Sequence, residues 1–288
     1  MKFLQINLHH RKAATAALCH QLAEEKAHIA LIQEAWIYNG KIRGLTNTGG
    51  TGYSAVPSHN ARSCVYIKNH VNALPLLELY SRDTSAVRIT YLYRGGSKEL
   101  FVASVYLPYD SDEPPPTKEM RAIIDYRFSR KKQLIIECDD NAHHNLWGNT
   151  GTNGENLMEF LVSSNLNILN HGNQPTFVVC NRKEVTDLTL GTNNIGNLVS
   201  NWHVSDEPSL SDHRYICFKI SNIRVDQVTY RNPKRTNWES YKDDIKVNLG
   251  TISRNIRTIK DVDRSVDQFQ GLLSRPLIRI LRLRPLTG

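Results

Sequence analysis

Nine short β-rich runs recur through the first 220 residues, and they limit the fold more than any other feature of the chain. They are "KFLQINL", "IALIQEAW", "SCVYIKN", "AVRITYLY", "LFVASVYLP", "QLIIECD", "LNILN", "VTDLTL" and "HRYICFKI". Several are apolar throughout, as strands covered on both faces are, while "RITYLY" comes nearer to alternation. Helical patterns lie between some of them. "RKAATAALCHQLAEEKA" sets Ala14, Ala17, Leu18 and Leu22 on one stripe, and "NGENLMEFLVSSN" carries Leu157, Phe160 and Leu161 ahead of a strand. A further helix is expected around "TKEMRAIIDYRFSR", after the prolines Pro114–Pro116. Tight pairs such as "YLYRGGSKELFVASVYLP", with a Gly-Gly hairpin, mix with helical crossovers. That mixture predicts an α/β sandwich of sheets with outer helices rather than a plain doubly wound sheet.

At 288 residues with 40% hydrophobic and 22% charged positions, the chain has ample material for a core. No apolar run approaches the roughly 18–20 residues needed to span a bilayer. The opening "MKFLQINLHH" is too short and polar for a signal peptide and reads as a first strand. Five widely spaced cysteines, an odd number with no C-x-x-C pair, argue against a disulfide framework and a structural zinc site. A reducing compartment is expected. The formal charge of +8 is uneven: residues 223–288 hold 14 basic against 7 acidic groups, leaving 22 against 21 in residues 1–222. A globular part that binds nucleic acid must then do so through a local patch, not bulk charge. After Ile220 the polar, turn-rich "NIRVDQVTYRNPKRTNWESY" reads as a linker, followed by a helical stretch and a truncated-looking end. The expected division is a domain over 1–221 and a basic linker and helical tail over 222–288.

Polar residues fall repeatedly at strand ends, where loops meet at a sheet edge and a site can be assembled. Asn7 ends "LQIN", Glu34 ends "ALIQE", and Tyr106 lies at the end of "VASVYLP". Asp139 and Asn141 follow "LIIEC", Asp187 lies in "EVTDLTL", and Asp212 and His213 open the last strand in "LSDHRY". His143 and His144 invite a zinc reading. Adjacent histidines in extended chain point apart, however, and no third ligand of matched spacing is evident, so packing or hydrogen bonding is expected of them. His9 and His10 are read the same way, with one near a nucleic-acid backbone. Trp147 reads as a loop anchor.

Together, "QINL", "LIQEAW", "SVYLP", "CDDNAHH", "VTDLTL" and "SDHRY" resemble, in order and approximate spacing, the endonuclease/exonuclease/phosphatase superfamily. The nearest likeness is to the apurinic-endonuclease-like domain that begins the polyprotein of LINE-type (non-LTR) retrotransposons, and it covers about residues 1–220. The "D-x-N-A-H-H" and "S-D-H" elements are its specific part. The resemblance implies a four-layer α/β/β/α sandwich of two mixed sheets flanked by helices, DNase I-like. It implies a Mg2+-dependent endonuclease, with Mn2+ as a substitute, that nicks one strand and leaves a 3′-hydroxyl primer for target-primed reverse transcription. The implied partners are double-stranded target DNA and, in a full-length polyprotein, retrotransposon RNA and a reverse transcriptase, with no membrane. Nuclear action after cytoplasmic synthesis follows, though no clear import signal is present.

The same resemblance implies roles. Glu34 would hold the metal with Asn7 beside it, and Asp212 would be a further or alternative metal group. Asp139 would orient or deprotonate water and Asn141 would donate to the phosphate. His213, kept cationic by Asp187, and Tyr106 would also contact the phosphate. Whether Asp139 or the histidine is the base stays open. Three positions depart from the pattern: Cys138 replaces the usual glycine, Asp140 the usual apolar residue, and Ala35 the usual proline. Asp140 could in principle be the functional acid, but D-x-N puts Asp139 and Asn141 on one face. Cys138 could crowd the metal loop. Candidate DNA contacts are Arg11, Lys12, Lys41, Arg43, Arg62, Lys183 and Arg214, with Asn173 to Leu188 expected as a DNA-facing hairpin. Two other readings remain: a phosphoesterase of the same fold acting on inositol phosphates or lipids, and a decayed copy that binds DNA without cutting it.

Overall fold

The computed structural model describes residues 1–225 except 25, 40, 46–47, 56–60, 109–114 and 141–154; beyond these it describes 229–231, 238–250 and scattered positions between 258 and 285. The chain opens with β1 (Lys2–Asn7), α1 (Lys12–Ala23) and β2 (Ile29–Gln33). A hairpin of β3 (Ile37–Tyr38) and β4 (Lys41–Ile42) precedes β5 (Gly50–Tyr53), β6 (Ser63–Lys68) and β7 (Ala73–Pro75). Then come β8 (Thr84–Tyr93), β9 (Gly96–Leu107), α2 (Lys118–Arg130), β10 (Gln133–Asp140), α3 (Glu155–Ser163) and β11 (Leu166–Ile168). β12 (Phe177–Val179), β13 (Arg182–Glu184), β14 (Asp187–Thr192), α4 (Asn193–Gly196), β15 (Val199–Val204), β16 (Ile216–Ile220) and β17 (Ile223–Val225) complete the order.

Two mixed sheets result. One runs β15-β16-β1-β2-β6-β5, and the other β11-β14-β10-β9-β8-β17 with β7 on β8. Among the described residues only β1–β2 and β9–β10 pair in parallel within them. Ala14, Leu18 and Leu22 of α1 pack on Leu4, Ile6, Ala30 and Ile32 of the first sheet. Met120, Ile123 and Ile124 of α2, with Leu157 and Leu161 of α3, pack on Leu134, Ile136 and Cys138 of the second. Between the sheets lie Phe3, Ile29, Leu31, Val65, Val87, Val102 and Ile135. The layers are therefore helix, sheet, sheet, helix, as the sequence predicts. Each buried Leu, Ile or Val contributes roughly 1.5–3 kcal/mol.

The interior changes character along the strands, and strand alternation makes it do so in rows. In the second sheet Val87, Val102 and Ile135 form an apolar row. The next row is Ser85, Ser104, Glu137 and Thr189, and the one after it is Tyr106, Asp139 and Asp187. The first sheet matches it, with Phe3–Ile29 followed by Gln5–Leu31 and then Asn7–Gln33. The polar layer joins the sheets: Gln33 donates to Ser104 Oγ at 3.2 Å, Ser63 to the Ser104 carbonyl at 2.6 Å, and Thr189 to Gln5 at 3.3 Å.

The β8–β9 connection is a two-residue hairpin pairing Tyr93 with Gly96. Its left-handed positions are Arg94 (φ 49°) and Gly95 (φ 79°), so one glycine serves the turn and Gly96 begins the strand. The first compact unit extends through Gln227, because Ile223–Val225, read from sequence as the start of a linker, pairs with Tyr91–Tyr93. The second unit, Val228–Gly288, contains α5 (Trp238–Leu249) and a pairing of Thr229–Arg231 with Leu283–Pro285. Among the described residues no helix is long and apolar enough to cross a membrane.

Candidate active site

The most polar row, Tyr106–Asp139–Asp187, closes the sandwich at the end where β1 and β2 finish. Asp139 is 2% exposed and accepts a hydrogen bond from Asn7 Nδ2 at 2.6 Å, across the gap between the sheets. Asn7 Oδ1 in turn accepts from the His9 backbone at 2.7 Å. Asp187 Oδ2 accepts from His213 Nδ1 at 2.9 Å, and the Thr176 hydroxyl receives the Asp187 N–H at 3.1 Å. Donor atoms of Asp139, Asp187 and His213 all lie within 4.8 Å of one another. Cys138, one residue away, faces the outer helices instead and does not crowd this site.

Electrostatics separate the roles of the three. Burial pushes Asp139 up to about 7; His213 and the Asn7 hydrogen bond oppose that rise, while Asp187 and Glu34 add to it. Burial alone would lower His213, but Asp187, Asp139 and Glu34 surround it with negative charge and raise it to about 9. It is therefore an imidazolium at neutral pH, with Nδ1 held and Nε2 left to donate. One row below, burial and then Asp187 drive Glu137 well above the usual carboxylate range, so this fully buried acid carries its proton.

Glu34 enters from the first sheet. Its backbone adopts a left-handed φ of 47°, unusual for a residue with a side chain, and three hydrogen bonds hold the turn. Leu8 N–H donates to Gln33 O at 2.9 Å, His10 N–H to Glu34 O at 2.7 Å, and Glu34 N–H to Arg62 O at 2.8 Å. Its side chain is 15% exposed. Arg62 grips Asp83 with two hydrogen bonds of 2.5 and 2.8 Å, and its guanidinium lies 4.4 Å from the Tyr106 ring centroid. Arg62, a candidate DNA contact in the sequence, thus braces the tyrosine.

Asp212, expected as a further or alternative metal group, is held by Arg11 and His9. Arg11 donates to both its oxygens at 2.9 and 2.7 Å, and His9 Nδ1 lies 3.1 Å away. Both candidates, Arg11 and Asp212, are thereby engaged with each other. Lys12 stands over Trp36 and Arg43 over Tyr38 at the rim. Lys183 is exposed on the β12–β13 hairpin, and this hairpin reaches the site. Val178 N–H donates to Asp212 O at 2.8 Å, Arg214 N–H to Thr176 O at 2.7 Å, and the Phe177 ring meets His213 edge-on at 5.0 Å. Asn141, His143, His144 and Trp147 lie outside the described residues, as does the side chain of Asp140.

Sequence reasoning missed the polar layer of Gln5, Gln33, Ser63, Ser104, Glu137 and Thr189, and the bracing of Tyr106. Glu137 had a visible signal, an acid inside an otherwise apolar strand.

The donors suit a hard divalent cation. Asp139 Oδ1 and Asp187 Oδ1 are buried without a hydrogen-bond partner among the described residues, and Glu34 stands near them with an accessible carboxylate. His213 Nδ1 is paired with Asp187 Oδ2, which marks that contact for handling charge and protons.

Residues 100–217 match a family profile described as endonuclease-reverse transcriptase. No curated protein matches the sequence. Among solved structures, the endonuclease domain of TRAS1, a telomere-specific non-LTR retrotransposon, is similar at 28% identity and TM-score 0.62, over 76% of this chain and 98% of that one. The Xenopus laevis APE2 catalytic domain shares the fold at 15% identity and TM-score 0.55, over 78% and 92%. An endonuclease/exonuclease/phosphatase family protein from Leptotrichia buccalis does so at 17% and 0.54, over 77% and 99%.

Proposed function

We propose that this chain, similar over residues 100–217 to an endonuclease-reverse transcriptase profile and in fold to the TRAS1 endonuclease domain, is a magnesium-dependent endonuclease that nicks one strand of duplex DNA. The observation that carries this reading is the row in which half-buried Tyr106 stands beside buried Asp139 and Asp187, with Asn7 joined to Asp139 and an imidazolium joined to Asp187. Glu34, with Asn7 beside it, would hold the metal, which when bound offsets negative charge on the phosphate and on the departing oxygen. Asp139, with its carboxyl at about 7, is matched to accept a proton from water at neutral pH. The water oxygen bonds to phosphorus as the bond from phosphorus to the 3′-oxygen breaks. The departing 3′-oxygen takes a proton from solvent, so the products are a 3′-hydroxyl and a 5′-phosphate. His213 donates to a phosphate oxygen from Nε2 while Asp187 fixes its ring, and Tyr106 steadies the phosphate from the neighbouring strand. The 3′-hydroxyl is the end a reverse transcriptase can extend, so the product fits a retrotransposon polyprotein acting on nuclear DNA.

Supercoiled plasmid incubated with the full chain and Mg2+ is expected to convert to open circle, and EDTA to stop the conversion. A folded chain that leaves plasmid intact with both Mg2+ and Mn2+ would overturn the reading. Turnover of phosphoinositides without plasmid nicking would move it to the phosphoesterase alternative.

The exposed hairpin lysine offers a second check. Lys183→Ala should weaken DNA binding evenly across sequences and reduce the slope of log K against log salt by about 1, read by fluorescence anisotropy at several salt concentrations.

A further inference from the structure

The loop after β1 brings a histidine to the rim of the cation site in a geometry that the reaction above does not use. His10 Nδ1 lies 2.9 Å from the carbonyl oxygen of Ala35. A carbonyl only accepts, so Nδ1 carries the hydrogen and Nε2 is left facing outward from that bond. Nε2 stands 3.7 Å from Glu34 Oε1. That gap is too wide for a hydrogen bond. It is the spacing of two ligands on one ion: bonds of about 2.0–2.2 Å to nitrogen and oxygen set their donors at most about 4.4 Å apart.

The arrangement is built, not incidental. His9 and His10 both take left-handed backbone, φ 50° and 54°, as Glu34 does at 47°. The two turns are tied by the His10 N–H bond to Glu34 O at 2.7 Å, and the Arg11 N–H bond to Leu8 O at 2.9 Å closes the first. An imidazole whose Nδ1–H is fixed on a backbone carbonyl is in the tautomer that presents Nε2 as a ligand, the usual outer support of a metal-bound histidine. Both side chains can be reached from solvent, at 47% and 15% exposure.

We propose that His10 is a ligand, through Nε2, of the divalent cation held by Glu34. This rests on the reading of Glu34 as a cation ligand. An imidazole beside a carboxylate tilts the site from Mg2+ toward Mn2+ and Co2+, because magnesium favours all-oxygen surroundings and later ions accept nitrogen.

The test is pulsed EPR of Mn2+ bound to the full chain, with titrations of Mn2+ and Mg2+ by calorimetry. Wild type is expected to show 14N modulation of the manganese echo, and His10→Ala to lose it while binding Mn2+ about 10-fold or more weakly. The loss for Mg2+ should be smaller. His10→Gln, checked with His10→Ala for native circular dichroism, separates ligation from loop collapse: a folded glutamine variant should also lack the nitrogen signal. Unchanged modulation and Mn2+ affinity in the folded His10 variants overturn the proposal. If Glu34→Ala alone abolishes binding, the Glu34 reading survives that failure. If Glu34→Ala binds both ions like wild type, the Glu34 reading fails and the proposal with it.

Discussion

Asp139→Asn is expected to slow plasmid nicking by about 10²–10⁴-fold, the range of a lost general base, and to leave the fold intact. The amide occupies the same space and can still meet Asn7 across the sheets, but it cannot take a proton. The variant should also be more stable than wild type above neutral pH. Asp139 rises from 3.8 in the open chain to about 7 when folded, so the folded state holds its proton more tightly. The sign follows from that: its contribution to stability is complete below about 3.8 and is lost as pH rises through about 7. At pH 8 the wild type holds an ionised carboxylate in a closed interior, at a cost on the order of a few kcal/mol. Asparagine removes that cost. Thermal melts at pH 5 and pH 8 should show the variant gaining more on wild type at the higher value. A variant that melts earlier at pH 8 and still nicks would contradict both the role and the buried charge.

The row that contains Asp139 was legible in the sequence for a simple reason. "VASVYLP", "LIIECDD" and "VTDLTL" are apolar runs that end or begin in polar residues, and strand alternation carries such residues to one face at one level. The layers were legible too, since continuous apolar strands need cover on both sides. What could not be read lies in contacts between distant segments. Arg11 and Asp212 are 201 residues apart, and only the closed sandwich shows that they neutralise each other. Arg62 reads as a surface cation until Asp83 and Tyr106 are seen around it. Strand β15 is hard to read because "VSNWHV" is short and mixes polar with apolar and buried with exposed positions. Cys138 looked like a threat to the site from its place beside Asp139, but neighbours on a strand face opposite ways, and it packs under the helices.

Asp187→Asn is the other change with a large expected effect, and it should show as a displacement of the pH profile more than as a uniform loss. In the wild type, kcat/KM should climb as Asp139 ionises near 7 and fall as His213 deprotonates near 9. Burial is the largest influence on His213 and it acts downward; Asp187 is the first of the charges that reverse it. Removing an opposite charge in contact lowers such a group by about 1–3 units, so the alkaline limb should move well below 9. At pH 8 the rate should drop about 10²–10³-fold, the range for a lost donor to developing charge. Part of it should return as the pH is lowered, since Asp187 also raises Asp139 and its removal carries the acid limb down as well. His213→Gln makes the opposite demand on the acid limb. The imidazolium holds Asp139 down, so its loss should carry that limb upward and abolish the alkaline one. Two variants of one hydrogen-bonded pair that shift the acid limb in opposite directions cannot be explained by general damage to the fold. If both merely lower the profile with its limbs in place, the pair is structural and the proton chemistry belongs elsewhere.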